Sequence, residues 1–432
     1  MKAKEPVFTN IIKLSEGFSK LTRKEREQCL IKMGFLTSDD VQILNQDSAL
    51  SASIADNFIE NMIGCFQIPL GVATNFVIDG KNYVIPMVTE ETSIIASASK
   101  TAKWIRDTGE LTTKNLGQFG IGQIQLPRVK NFAIVKEKIQ THKNKLIAAV
   151  NDDVAKGIVS RGGGVRDITI RCLPRGDGND MAVVHVMVDT RDAMGANIIN
   201  QVCEFLKLPI EDLTAEKVGM CILTNLADTK LTQAKVVIRN IDIELGEAIA
   251  EGSLFAQIDP YRAATNNKGV LNGIDAVLIA TGNDWRAVEA GIHAYAGYSG
   301  QYSSITKWFM KGPDLHGVIE APIMVGTVGG ITQLHPVAKI CLKMLNIHES
   351  SQLARILLAV GLVQNLGAIK ALVTEGINKG HMRLHISNLI LASDATQAEV
   401  PFLKQHLVQC LETQRHVTGS DVKEILNKMR CH

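Results

Sequence analysis

Seven residues from Asp275 to Thr281 form an apolar run with the length and branching of a buried strand. Polar and small residues flank it on both sides: Arg262, Asn266, Asn267, Lys268 and Asn272 before, Gly282, Asn283 and Asp284 after. That pattern predicts a strand ending at a Gly-Asn turn, with Asp284 opening a helix over 284–296. Upstream, residues 1–60 have partly amphipathic helical spacing, with Thr22 and Thr37 placed as caps. The stretch 73–88 alternates around Asp79-Gly80, a strong hairpin signal. Thr89 can then cap a helix whose first turn carries Glu90 and Glu91, where carboxylates suit the helix dipole.

A Gly/Gln-rich passage, 117–128, marks a change of region. Beyond it a basic helical run, 135–161, leads to Gly162-Gly163-Gly164. Strands over 167–173 and 181–190 form a second hairpin, followed by a helix over 191–208 and strand-like runs over 217–227 and 234–243. These predict a compact α+β insert over 118–228, with hairpin-paired strands and helices to one side. Helical spacing resumes over 243–257 and 351–377 around a glycine-rich stretch, 323–345. After Gly376 and Gly380 the chain reads as short amphipathic helices over 381–395, 400–415 and 420–430. The expected organisation is a large domain in two parts, 1–117 and 229–376, the insert between them, and a terminal unit over 377–432.

Composition narrows the class. The chain has 432 residues, 46% hydrophobic and 21% charged, which suits a multidomain globular protein. Its 46 Lys and Arg against 44 Asp and Glu leave a net charge of +2, with no basic excess for nucleic acid. No secretory signal and no uninterrupted apolar membrane span is legible, and the eight cysteines are scattered without a C-x-x-C pair. Free thiols in a reducing cytoplasm are the expectation.

Candidate chemistry is spread along the chain. Lys268 and Asp284 can face one pocket, or be a surface lysine and a helix cap. Of the neighbours Glu90 and Glu91, only one can enter a pocket. DAMGAN, 192–197, begins a helix with a bare first turn whose N–H groups suit a pyrophosphate; tight helix packing explains the same residues. His381 and His385 stand four apart without the acidic partner of a zinc site, so His381 reads as a single general acid or as a surface histidine.

Taken together, the motifs ENMIG (60–64), PMVTEETSIIAS (86–97), DAMGAN, DPYRAATNNKG (259–269), GNDWRA (282–287), VGGITQLHP (328–336) and GHM (380–382) occur in one order. In that order the chain closely resembles the 3-hydroxy-3-methylglutaryl-coenzyme A (HMG-CoA) reductases of the soluble class II type, from about residue 15 onwards. The resemblance implies a large α/β domain interrupted by a small dinucleotide-binding domain, with a C-terminal flap. It implies reduction of HMG-CoA to mevalonate and coenzyme A with two NAD(P)H, or the reverse. It places catalytic roles on Glu91, Lys268, Asp284 and His381, and substrate contacts on Ser93, Arg262, Asn272 and Asn365. The dinucleotide would meet Asp192, Met194, Gly195 and Asn197, and coenzyme A the region of Ser19 or Lys20. Family members form dimers with shared active sites, often trimers of dimers, and need no metal. The resemblance is to the soluble type, so a membrane anchor like that of the animal enzymes is not expected.

The set suits thioester reduction. Lys268 would stabilise an oxyanion, Glu91 would donate a proton if its pKa is raised beside Asp284, His381 would protonate the departing thiolate, and Arg262 would grip a carboxylate. In NAD-preferring relatives an aspartate stands seven residues before the glycine turn. Here that position is Ala155, followed by Lys156, with Arg161 and Lys143–Lys145 adding positive charge. NADPH is therefore favoured over NADH, with Asp152 or Asp153 as the alternative ribose contact. Two rival readings are a coenzyme-A acyltransferase, which would need a nucleophile such as Cys65, and a non-catalytic coenzyme-A-binding protein.

Overall fold

The computed structural model describes residues 16–46, 49–374, 376, 386, 389–414 and 417–430. Three short helices come first: α1 (Arg23–Lys32), α2 (Ser38–Leu44) and α3 (Ala52–Ala55). Thr22 with Glu25, and Thr37 with Asp40, form capping boxes at the first two. The hairpin follows as β1 (Leu70–Ile78) and β2 (Lys81–Val88). Asp79 at φ 51° and Gly80 at φ 76° supply its left-handed turn.

The next helix, α4 (Ile94–Thr108), starts later than its sequence signal. Thr89 accepts from the backbone N–H of Glu91, but this bond closes a turn outside the helix. Glu90 and Glu91 therefore precede the helix, and Ser93 occupies the cap position. A local Ser/Thr turn has outcompeted the cap.

After β3 (Gly109–Asn115) and β4 (Gly120–Val129) come α5 (Phe132–Asp152) and α6 (Lys156–Val159). Then follow β5 (Gly164–Pro174), β6 (Asp180–Asp189), α7 (Ala196–Thr214) and β7 (Cys221–Thr224). Strands β5, β6, β4 and β7 make one antiparallel sheet in that order. Its apolar face packs on α5 and α7 through Ile124, Val184, Val186, Ile139, Val202 and Leu206, among other buried residues.

The chain continues as β8 (Leu231–Ile238), α8 (Ile243–Ile258), α9 (Pro260–Ala280) and α10 (Trp285–Ala296). Next are β9 (Thr306–Lys311), β10 (Asp314–Pro322), α11 (Gly330–Leu334), α12 (Pro336–Leu345) and α13 (Ser350–Val373). Strand β8 does not join the insert's sheet, as its apolar run had suggested. It pairs with β3 and β10 in a second antiparallel sheet, ordered β3-β8-β10-β9. Alternation alone carries no information about which partner a strand takes.

The expected strand over 275–281 is also absent. Those residues are the last turns of α9, which Asp259 caps and Pro260 begins. Ala276, Val277, Leu278 and Ala280 are all buried because neighbours cover the helix on several sides. A helix buried all round looks like an apolar run, and periodicity over seven residues cannot separate it from a strand.

Helix α13 is long and apolar enough to cross a membrane, yet it is a core helix. Leu353, Leu357, Val360, Leu362, Val363 and Leu366 are buried against α9, α4 and the β8-centred sheet. Past Gly376, α14 (Val400–Gln414) and α15 (Gly419–Arg430) share a small core of their own with Ile386, Ile390, Leu403, Val422 and Leu426.

Candidate active site

Helix α9 organises the site. Its cap, Asp259, accepts from the backbone N–H of Arg262 at 2.8 Å. Arg262 is thus in the first turn, Lys268 in the middle, and Asn272 one turn further, on the same face at the i,i+4 spacing. Lys268 Nζ lies 3.0 Å from Glu91 Oε2, joining two motifs 177 positions apart. Lys268 is 62% exposed and Glu91 39%, so the pair faces open space. Exposed ion pairs contribute about 0–1 kcal/mol, too little to explain the pairing as a fold determinant.

Beside Glu91, Ser93 holds φ 77°, a left-handed backbone unusual for a residue with a side chain. Its Oγ is buried without a hydrogen-bond partner among the described residues. Strained backbone and an orphaned buried hydroxyl in one residue are features that concentrate at ligand sites.

The buried side of α9 is polar where it lies under Lys268. Asn266 and Asn267 are 2% and 0% exposed. Asn266 donates to Ser304 Oγ at 2.8 Å, and Asn267 to the carbonyl of Ser303 at 2.9 Å. Asn365 on α13 donates to Asn266 Oδ1 at 2.9 Å and accepts from Trp308 Nε1 at 2.8 Å. It is 1% exposed, so among the expected substrate contacts it stands beneath the helix rather than on the open face.

At the far end of α9, the Gly282 turn leads to Asp284, which caps α10 by accepting from Ala287 N–H at 3.1 Å. Asp284 also lies 3.6 Å from Arg286. Both contacts are within its own helix, whereas Glu91 pairs with Lys268. The neighbouring Asn283 accepts from the N–H of Gly326 at 2.8 Å. The same loop reaches the DAMGAN turn, because Thr327 N–H donates to the carbonyl of Asp192 at 2.8 Å. A Cβ on Gly326 would stand 2.6 Å from Met194 N, so this close approach requires glycine. The GND and DAMGAN motifs therefore meet at one loop.

In that turn Gly195 has φ 97° and precedes α7 without a side-chain cap. A Cβ there would lie 2.2 Å from Thr190 Cγ2. The N–H groups of the following turn, including that of Asn197, are left for an anion. Asp192 is anchored by its Oδ1, which accepts from Ser350 N–H at 3.0 Å.

Ala155 departs from expectation. It is fully buried in the core beneath the β5–β6 sheet, so residue 155 does not face a ribose. Lys156 beside it is exposed, and Lys143 is held by Asp167. A count from the glycine turn fixes distance along the chain but not which way a side chain faces. Ser19 and Lys20 are exposed next to the buried Phe18. His381, His385 and Gly380 lie outside the described residues. Cys203 and Cys341 are buried thiols, and Cys65 is exposed.

Sequence reasoning missed Asn266 and Asn267 as buried network residues and the anchoring of Asp192. Two adjacent asparagines inside an otherwise periodic helix were the available signal, since a helix interior disfavours them without partners.

A model of the hydroxymethylglutaryl-coenzyme A reductase family matches residues 22–386. The 3-hydroxy-3-methylglutaryl-coenzyme A reductase of Archaeoglobus fulgidus is 42% identical over 419 residues, 96% of this chain and 94% of that protein. A probable HMG-CoA reductase of Borreliella burgdorferi is 32% identical over 87% of each chain. Among solved structures, an HMG-CoA reductase of Streptococcus pneumoniae superposes with a TM-score of 0.81 at 37% identity, covering 96% of this chain and 99% of that one. The class II S. pneumoniae enzyme bound to NADPH in open conformations gives a TM-score of 0.80 at 38% identity, covering 83% of this chain and 99% of that one. With one fold, one order of motifs and identity at this level along nearly its whole length, the chain belongs to the hydroxymethylglutaryl-coenzyme A reductase family.

Proposed function

We propose that this protein reduces HMG-CoA to mevalonate and coenzyme A, consuming two NADPH. The observation that carries the reading is the Lys268–Glu91 contact of 3.0 Å on an open face. A cation fixed beside a carboxyl group is what a thioester carbonyl needs when it becomes an oxyanion and then takes a proton.

In this reading Lys268 bears the oxyanion charge and Glu91 delivers the proton. Ser93 offers its unpaired hydroxyl to the substrate. Arg262 and Asn272, on the helix of Lys268, hold the substrate's carboxylate end, and Asn365 keeps that helix in place from below. Asp284 adds a carboxylate from the cap of α10. His381 protonates the thiolate, carried over the site by the flap of 377–432.

The uncapped turn at 192–197 fits a dinucleotide, whose diphosphate would lie on the free N–H groups beside Asp192, Met194, Gly195 and Asn197. NADPH, bound in the S. pneumoniae structure, supplies hydride when present. Exposed Lys156 and Arg161 favour its extra phosphate. We place the reaction in the cytoplasm, in keeping with the buried thiols of Cys203 and Cys341.

The protein also self-associates in this reading, as a dimer or a trimer of dimers completing the site. Leu254, Phe255 and Ile258 on α8 are exposed, with Tyr261 just beyond, as are Ile63 and Phe66. Apolar surface on that scale marks an interface.

Adding HMG-CoA to protein and NADPH should remove two equivalents of nicotinamide absorbance per thioester. Thiol release without that loss would favour an acyltransferase and overturn the proposal.

A further inference from the structure

The consecutive helices α9 and α10 carry Lys268 and Asp284, and a bridge of three side chains ties them together away from the Gly282 turn that joins them. Asn267, next to Lys268 and fully buried, donates through Nδ2 to the hydroxyl of Tyr302 at 3.0 Å. That hydroxyl lies 2.7 Å from Nδ1 of His293, in the last turn of α10. The rings of Tyr302 and His293 also stack, with centroids 5.9 Å apart and planes 29° from parallel.

Donor chemistry sets the direction of the bridge. An amide nitrogen can only donate, so the Tyr302 oxygen accepts from Asn267 and turns its own proton to His293 Nδ1. A separation of 2.7 Å is that of an O–H donor. Nδ1 is thereby assigned as the acceptor of a neutral imidazole, with the ring proton on Nε2. The Asn267 amide is fully used, since Nδ2 also donates to Ser303 O at 2.9 Å and Oδ1 accepts from Ile305 N–H at 3.1 Å. With each group engaged, Asn267 has one orientation, and that orientation depends on where Tyr302 stands.

Core packing does not call for His293, which is exposed. The same turn of α10 is held to β10 independently, because Tyr295 donates to Glu320 Oε1 at 2.8 Å. What the bridge adds is the placement of α10 against the middle of α9. We propose that His293 and Tyr302 are positioning residues for thioester reduction, keeping Asp284 at the other end of α10 in register with Lys268 on α9. The inference rests on the reading of Lys268 and Asp284 as catalytic groups.

The test uses the full-length protein, with steady-state kinetics on HMG-CoA and NADPH and a melting temperature for each variant. A wild type that oxidises no NADPH would overturn the catalytic reading itself. His293→Ala should lower kcat about fivefold or more, the worth of one ordering hydrogen bond, with KM for HMG-CoA and the melting temperature near wild type. His293→Asn, whose Oδ1 can stand where Nδ1 stood, should restore turnover. Tyr302→Phe should lose kcat as His293→Ala does, and combining the two should cost no more than Tyr302→Phe alone, because both break one bridge. An unchanged kcat in His293→Ala, a rise in KM in place of a fall in kcat, no rescue by His293→Asn, or losses that multiply in the double variant would each overturn the proposal. If Tyr302→Phe does not fold, the two His293 variants decide by the same comparison.

Discussion

Asn365 and Asn266 share a hydrogen bond of 2.9 Å beneath the helix that carries Lys268. Asn365 closes the chain further by accepting from Trp308, so α9, α13 and β9 are tied by side chains rather than by strand pairing. Such a network specifies one relative placement of its helices, because each buried polar group is costly unless paired. Lys268 is two positions from Asn266 and inherits that placement.

Asn365→Leu should therefore act on both stability and turnover. Trp308 Nε1–H and Asn266 Oδ1 would be left unpaired, at a cost of about 2 kcal/mol. Denaturant midpoints and kcat for HMG-CoA reduction check this. An unchanged midpoint would show that the pocket repacks around the leucine.

Lys268→Ala should separate function from fold. The side chain is mostly exposed, so the thermal transition should move by about 0.5 kcal/mol at most. Loss of the oxyanion charge should lower kcat by about a hundredfold or more. Near-normal turnover would remove Lys268 from the mechanism.

Asp275, one turn beyond Asn272 on α9, gives the fold a pH dependence. Burial, then the charge of Glu289, raises its pKa to about 8. A carboxyl whose folded pKa exceeds its unfolded value binds the proton more tightly when folded. Its stabilising contribution is full below the unfolded pKa of about 4 and is lost as pH rises through about 8. Unfolding midpoints measured across that window should decline in wild type, and Asp275→Asn should flatten the decline.

Ala155→Asp should not convert cofactor preference. The side chain faces the core, and a carboxylate there would cost about 2 kcal/mol or more without reaching a ribose. The kcat/KM ratio for NADPH over NADH should stay constant while the melting temperature falls. A shift toward NADH with an unchanged melting temperature would restore residue 155 to the cofactor site.

Much of the architecture was legible for local reasons. The Asp79-Gly80 turn, the capping boxes at Thr22 and Thr37, and the Asp284 cap are encoded within a few residues of where they act. The failures share a cause: they depended on distant neighbours. Helix α9 is buried on several sides by segments far away in sequence, so its last turns lost the one-sided pattern that marks a surface helix. Strand β8 alternates correctly, yet its partners lie at 109–115 and 314–322. At the site, the family resemblance singled out Glu91 and Lys268, but nothing in the spacing indicated that the two side chains meet, that Asn365 lies beneath α9 or that Asp192 is pinned by Ser350.

Strands β3 and β8 are neighbours in one sheet, with the whole β4–β7 unit strung between them. Leu116 N–H donates to Leu231 O at 2.8 Å and Phe119 N–H to Thr229 O at 3.2 Å, so the entrance and exit run side by side. To the sheet, the nested unit is a hairpin loop of unusual length. Closing a flexible loop of about a hundred residues rather than about five would cost only about 3 kcal/mol more. A segment with its own core, whose ends already lie together, escapes much of even that cost. An ancestral chain with an ordinary turn at this point could have gained the unit in a single insertion without disturbing the strands on either side.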